Sequence, residues 1–74
     1  MQNIDGRDRI LTLLALLKRS GGVSVKEIQE HFEAVYGTAP DRKVLYRDLA
    51  AIERYYPLYV IKQKDYYGVP RYSL

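Results

Sequence analysis

The residues best suited to chemistry lie in one stretch, DRKVLYRDLAAIERY, which spans residues 41–55. Arg and Lys side chains donate hydrogen bonds to phosphate oxygens and to the edge of guanine, and a Tyr ring stacks or binds a phosphate. At helical spacing the basic and aromatic residues fall on one side, over roughly 140° of arc. They are Arg42, Lys43, Tyr46 and Arg47, with Ala50 beside them. This side predicts a surface that binds a polyanion.

The other side of the same stretch carries an apolar stripe, which predicts contact with a protein core. Its members recur at spacings of four, three and four residues and are Leu45, Leu49, Ile52 and Tyr56. We predict a third helix over about residues 40–55, with Thr38 or Ala39 as the N-cap and Pro40 in the first turn. Pro57 is expected to end this helix because proline cannot continue one.

A first helix is predicted over about residues 6–19, with Asp5 as its N-cap and the glycines after Ser20 at its end. Its apolar stripe comprises Ile10, Leu13, Leu14 and Leu17. Leu11 and Leu16 lie partly off this stripe and, with Ile4, leave apolar area that three helices do not cover. The surplus predicts a homodimer formed through the first helix.

A second helix is predicted over about residues 25–36. Ser24 and Glu27 have the spacing of a capping box, in which each side chain bonds the other residue's backbone N–H. Gly37 is suited to a left-handed C-cap. The apolar side of the helix comprises Val25, Ile28, Phe32 and Val35.

Two strands are predicted to follow, LYVIKQ at residues 58–63 and RYSL at residues 71–74, joined by a turn in KDYYGVP. The hairpin carries further basic and aromatic residues, namely Lys62, Lys64, Tyr66, Tyr67 and Arg71. Three helices followed by a hairpin predict a single α+β domain over residues 1–74, a winged helix-turn-helix. In that fold the third helix enters the major groove of DNA and the hairpin, or wing, lies beside it.

Composition argues against several other functions. The chain has no cysteine and one histidine, His31, so a zinc centre, a thiolate nucleophile and disulfides are not expected. No carboxylate pair, nucleophile with a base or glycine-rich phosphate loop is visible, so we expect neither an enzyme nor a cofactor. The apolar run near the N-terminus is too short to cross a bilayer, and we expect a cytoplasmic protein without membrane contact.

Charge is distributed unevenly along the chain. The formal net charge is +3. Basic and acidic groups balance over residues 1–40, so the whole excess lies in residues 41–74. This asymmetry places the expected polyanion on the side of the third helix and the hairpin.

The third helix resembles a known recognition helix. DRKVLYRDLAAIERYYPL looks like the S-x-R-T-[IV]-x-R-D-L-x-x-L motif of bacterial WYL-domain transcriptional regulators and, more distantly, that of DeoR-type repressors. RILTLLALL, VSVKEIQEHF and RYSL resemble their first helix, second helix and closing wing strand. By this resemblance Arg42 faces DNA and Arg47 contacts the backbone. It also implies that Asp48 orients its neighbours and that Leu49 belongs to the core. Lys43 replaces the family's usual Thr, and EAVYGTAP lengthens the preceding connection.

The sequence thus predicts a sequence-specific double-stranded DNA-binding regulator that represses transcription by occupying an operator. The predicted DNA contacts are Arg42, Lys43, Tyr46, Arg47, Lys62, Lys64, Tyr67 and Arg71. A protein-interaction module with the same fold is the alternative, and a merely solvated basic helix face is the plainer interpretation. For Asp48 the corresponding plain interpretation is a surface ion pair with Lys43 or Arg47.

Overall fold

The computed structural model describes residues 4–19, 21–56, 59–61 and 70–74. They form three helices, α1 (Gly6–Leu17), α2 (Val25–Tyr36) and α3 (Arg42–Glu53), and two short strands, β1 (Tyr59–Ile61) and β2 (Arg71–Ser73). The chain therefore has the predicted helix order and a small α+β architecture. The predicted helix stop at Pro57 and the hairpin residues Lys62, Lys64, Tyr66 and Tyr67 lie outside the described residues.

Local capping explains where α1 and α2 begin. The Asp5 carboxylate accepts a hydrogen bond from the backbone N–H of Arg7, at 3.0 Å, and α1 ends at Leu17, two residues before the predicted end. For α2 the predicted bounds are confirmed, as is the capping box between Ser24 and Glu27. Gly37 takes the left-handed conformation of a C-cap, with φ of 76°.

The predicted start of α3 is wrong by two residues. Asp41 is the N-cap, in an extended conformation, and its carboxylate accepts from the backbone N–H of Lys43 at 2.6 Å. Pro40 precedes the helix, and its carbonyl oxygen accepts from the Gln29 side-chain amide at 3.2 Å. The negative charge of the Asp41 carboxylate is also favourable at the positive end of the helix.

One core joins the three helices to the segment that precedes α2. Its fully apolar members are Leu13, Leu16, Leu17, Val23, Val25, Ile28, Phe32, Leu45, Leu49 and Ile52. Leu16 is only 2% exposed, so the prediction that it adds surplus surface to α1 is wrong. None of the helices in the described part of the chain is long and apolar enough to cross a membrane.

Val35 and Tyr56, both assigned to apolar stripes, are more than half exposed. Val35 is 58% exposed, because Tyr36 occupies the inner side of the last turn of α2, stacked on Phe32 and hydrogen-bonded to Thr12 at 3.0 Å. Tyr56 is 52% exposed and lies three residues beyond the end of α3 at Glu53.

The strands pair antiparallel, with Tyr59 opposite Ser73 and Ile61 opposite Arg71. A further bridge, which the sequence patterns did not predict, joins β2 to Val23 between α1 and α2. Val23 donates to the Tyr72 carbonyl at 2.9 Å, and Tyr72 donates to the Val23 carbonyl at 2.8 Å. This bridge holds the paired strands against the helical part of the fold.

Candidate functional site

The basic face of α3, defined here as Arg42, Lys43, Tyr46 and Arg47, is exposed to solvent. All four residues are exposed, and Tyr46 retains 48% of its accessible surface. The opposite side of the helix is buried through Leu45, Leu49 and Ile52. Within the described residues no carboxylate forms an ion pair with the three cations. The two-sided character predicted for this helix is therefore confirmed: one side is buried in the core and the basic face is exposed.

The positions of Arg42 and Lys43 destabilise α3. Arg42 and Lys43 occupy the first turn of α3, which contains no acidic residue. The N-terminal end of a helix carries partial positive charge, and a cation there is unfavourable by about 0.3 to 1 kcal/mol. The positive end of a helix with cations in its first turn is a favourable place for an anion. Only the Asp41 cap offsets the charge at this end.

An ion pair between Arg9 and Asp48 fixes α3 against α1. The Arg9 guanidinium donates from Nε to Oδ2 at 2.5 Å and from Nη2 to Oδ1 at 3.1 Å. Hydrogen bonding to Asp48 raises the pKa of Arg9 above its usual value and outweighs burial, which acts in the opposite direction. A bidentate pair restricts rotation as well as distance, so it helps to keep the basic face turned outward.

The expected surface ion pair of Asp48 with Lys43 or Arg47 is wrong, because Asp48 is only 6% exposed and binds Arg9. A helical projection carries the signal that would have found this. Asp48 lies about 60° from Leu45 and adjoins the buried stripe rather than the exposed side. The identity of its partner, 39 residues earlier in the chain, is not a property of local sequence.

Tyr46 is the aromatic member of the basic face. Burial, and to a smaller degree electrostatic interaction with the Tyr46 phenol, raise the pKa of Tyr72. The two phenols are therefore within electrostatic reach of each other. Tyr46 nevertheless keeps about half of its surface exposed, so its ring is accessible to a partner beside α3.

Arg71 was predicted to contact DNA from the hairpin. Its guanidinium N–H groups instead donate to groups within the protein. Its Nε and Nη2 donate to the carbonyl oxygens of Gly21 and Gly22, both at 2.9 Å. Its Nη1 donates to Glu27 Oε1 at 2.5 Å. Burial alone raises the pKa of Glu27, but hydrogen bonds from Arg71 and Ser24 outweigh it, and the pKa lies below its usual value. Arg71 thus ties β2 to the beginning of α2.

Gly22 permits the close approach of β2. Its φ is +71°, and a Cβ atom there would lie 2.6 Å from the Tyr72 carbonyl oxygen. Both features exclude a side chain without local rearrangement. The neighbouring Gly21 has φ of +82° but has no atom within 4 Å of such a Cβ. Gly21 and Gly22 therefore allow the chain to turn after α1, and Gly22 also allows β2 to lie close to this turn.

Lys26 is a cation that sequence reasoning did not assign to the site. It is exposed in the first turn of α2 and lines a shallow groove together with Ala39, two residues before the α3 cap. The sequence does contain a signal for Lys26. Like Arg42 and Lys43, it lies in the first turn of a helix, where a positive charge is unfavourable. The same groove is also lined by the carboxylates of Glu30 and Glu33, so Lys26 is an exposed cation in a mixed-charge surface.

The chain matches no protein-family model, curated protein or solved structure. The resemblance to WYL-domain regulators therefore stays a prediction. Two assignments within it were out of register: counted back from Arg47, Asp48 and Leu49, the motif's arginine falls on Lys43 and its threonine on Val44, not on Arg42 and Lys43. The motif's serine then falls on Asp41, the residue that caps α3.

Proposed function

We propose that this chain binds double-stranded DNA sequence-specifically and regulates transcription as a winged helix-turn-helix protein. In this proposal α2 and α3 form the helix-turn-helix, and the segment from β1 to β2 forms the wing. Repression by occupying an operator is the simplest mechanism, because it requires only binding. The resemblance of α3 to the recognition helix of WYL-domain regulators agrees with this assignment.

The observation that carries the proposal is the exposed basic face at the start of α3. Two of its three cations oppose the helix dipole, so helix stability does not account for them. The face belongs to a helix that is rigidly oriented by its buried side and by the Arg9–Asp48 pair. A rigid helix with donors on its outer side is the arrangement that the major groove accepts.

Each residue of the face has a proposed role. Arg42 and Lys43 donate to guanine O6 and N7 or to phosphates at the start of the helix, and Arg47 contacts the backbone. Tyr46 contacts a thymine methyl group or a phosphate. Lys26 adds a phosphate contact from α2. On the wing, Lys62, Lys64 and Tyr67 remain predicted contacts outside the described residues, whereas we assign Arg71 a structural role.

Fluorescence anisotropy with labelled duplexes tests the proposal, using the DNA upstream of the coding sequence and a scrambled duplex across a range of salt concentrations. We expect the upstream duplex to bind at least about a thousandfold more tightly, as specific sites usually do. The double variant Arg42→Ala/Arg47→Ala should weaken specific binding by about tenfold or more. Its salt slope should fall by about 0.9 for each phosphate contact removed.

A matched control separates specific contacts from net charge. Arg7→Ala/Arg19→Ala removes the same number of charges from α1 and the turn that follows it, outside the basic face, and should weaken binding only slightly. Equal losses in both double variants would mean that binding depends on overall charge alone. Absence of binding to either duplex would reject the proposal.

A protein-interaction module remains the second candidate, favoured by large exposed aromatic residues beyond α3. Tyr55 is 81% exposed and Tyr56 is 52% exposed. Tyrosine is enriched in protein interfaces because its ring is large and its hydroxyl group forms hydrogen bonds. The two candidates make opposite predictions for activity in cells. If Tyr55→Ser abolishes the activity of the protein in cells and Arg42→Ala/Arg47→Ala does not, a protein-interaction module replaces DNA binding as the proposed function.

A further inference from the structure

A narrow stripe of exposed residues runs along α1 on the side away from the core. Asp8, Leu11, Ala15 and Lys18 are all exposed and follow one another at spacings of three, four and three residues. This is the spacing of the contact positions of a coiled coil. Leu11 is 58% exposed, although it lies in the middle of a helix whose other side is fully buried. We call these four residues the α1 stripe.

The α1 stripe is complementary to itself when a second copy runs antiparallel. If two such helices are paired about the level of residue 13, Leu11 of each faces Ala15 of the other. In the same register Asp8 of each faces Lys18 of the other. A two-fold arrangement repeats every contact, so both ends of the stripe place opposite charges together and the middle buries apolar surface. Parallel pairing would instead place Asp8 against Asp8 and Lys18 against Lys18.

We propose that the α1 stripe is the contact surface of an antiparallel homodimer. A groove of about 390 Å³ beside it, between α1 and α2, provides further apolar surface for the partner's leucine. The groove is lined by Leu11, Thr12, Ala15, Leu16, Arg19 and His31. The match of Asp8 in one copy with Lys18 in the other favours a second copy over an unrelated partner.

The proposed dimer leaves the basic face of α3 accessible. Arg9, which holds α3 through Asp48, lies about 160° around the helix axis from Leu11. The second copy and α3 therefore occupy nearly opposite sides of α1. The dimer does not depend on the proposed DNA binding, and it is measured without nucleic acid, so failure of one proposal is distinguishable from failure of the other.

Sedimentation equilibrium of the full chain, from about 10 μM to about 1 mM, is the first experiment. The contact area is small compared with the roughly 1,200 Å² of stable dimers, so we expect association in the upper part of this range. The expected result is a rise in mass from 8.6 kDa toward twice that value. A constant mass of one chain at all concentrations would overturn the proposal.

Variants test the surface and the orientation. Leu11→Asp should weaken association at least about tenfold, whereas Val35→Asp, at an equally exposed apolar residue of α2, should leave it nearly unchanged. Asp8→Lys and Lys18→Asp should each weaken association roughly fivefold, and their combination should restore it. Circular dichroism confirms that each variant is folded. Equal effects at Leu11 and Val35, or no restoration in the combined variant, would reject this surface or its antiparallel orientation.

Discussion

At the scale of single residues, the Arg9–Asp48 pair has the largest expected effect on stability. Asp48 is buried, and Arg9 supplies both of its described side-chain hydrogen bonds. We expect Arg9→Leu to lower the free energy of unfolding by about 3 kcal/mol, because it leaves a buried carboxylate without its partner. This is the low end of the usual range, since the Arg9 side chain is itself 26% exposed. Urea denaturation followed by circular dichroism measures the change.

Two further variants decide whether the cause is the unpaired charge. Arg7→Leu, at an exposed position on the same helix, should change stability by less than about 0.5 kcal/mol. Arg9→Leu/Asp48→Leu should be more stable than Arg9→Leu, because it removes the stranded carboxylate. If Arg9→Leu and Arg7→Leu behave alike, the pair does not stabilise the fold.

Glu27 makes stability depend on pH in a predictable direction. Its pKa is lower in the folded chain than in the unfolded chain, because hydrogen bonds from Arg71 and Ser24 outweigh burial. Its contribution is therefore complete above the ordinary glutamate pKa of about 4.3 and is lost as the pH falls through the folded-state pKa. We expect Glu27→Gln to be less stable than wild type at neutral pH, with the difference shrinking below about pH 4.

The matched control for this titration is Glu30→Gln, at an exposed carboxylate of the same helix. Thermal unfolding at several pH values provides the measurement. The Glu27→Gln difference should be modest, about 1 kcal/mol or less at neutral pH, because the Glu27 side chain is 41% exposed. The same pH dependence in both variants would contradict an origin in the Arg71 contact.

At the scale of elements, local sequence determines the ends of α2 well and those of α3 less well. The capping box and Gly37 are close in sequence to the backbone groups they satisfy, so the pattern alone predicts Val25–Tyr36. Before α3, Thr38, Pro40 and Asp41 all have helix-start character, and local sequence does not decide among them. The hydrogen bond from Gln29 to the Pro40 carbonyl is a tertiary contact that propensities do not contain.

The glycine pair tests how the strands are attached to the helices. Gly21→Ala should cost roughly 1 to 2 kcal/mol of unfolding free energy, from the left-handed conformation alone. Gly22→Ala should cost at least about 1 kcal/mol more, because its methyl group meets the Tyr72 carbonyl oxygen. Amide hydrogen exchange at Val23 and Tyr72 should accelerate more in Gly22→Ala. An equal loss of unfolding free energy in Gly21→Ala and Gly22→Ala would show that β2 shifts to accommodate the methyl group at no energetic cost.

At the scale of the whole molecule, the uneven charge distribution predicted the exposed basic face of α3 but not the use of every cation. Arg9 and Arg71 both bind carboxylates far away in the chain, at separations of 39 and 44 residues. Their pairing follows from the way α1, α2, α3 and β2 come together. Residue composition therefore overstates the positive charge available to a partner, and only the structure separates structural cations from exposed ones.

The attachment of β2 also has a consequence for the order of events during folding. Arg71 bonds carbonyl groups 50 and 49 positions earlier, whereas the capping box of α2 spans only three positions. Contacts that close a long loop lose more chain entropy and tend to form late. We expect Arg71→Ala mainly to accelerate unfolding and Ser24→Ala to slow refolding in stopped-flow experiments. On this expectation, α2 forms early and β2 docks against the helical part of the fold last.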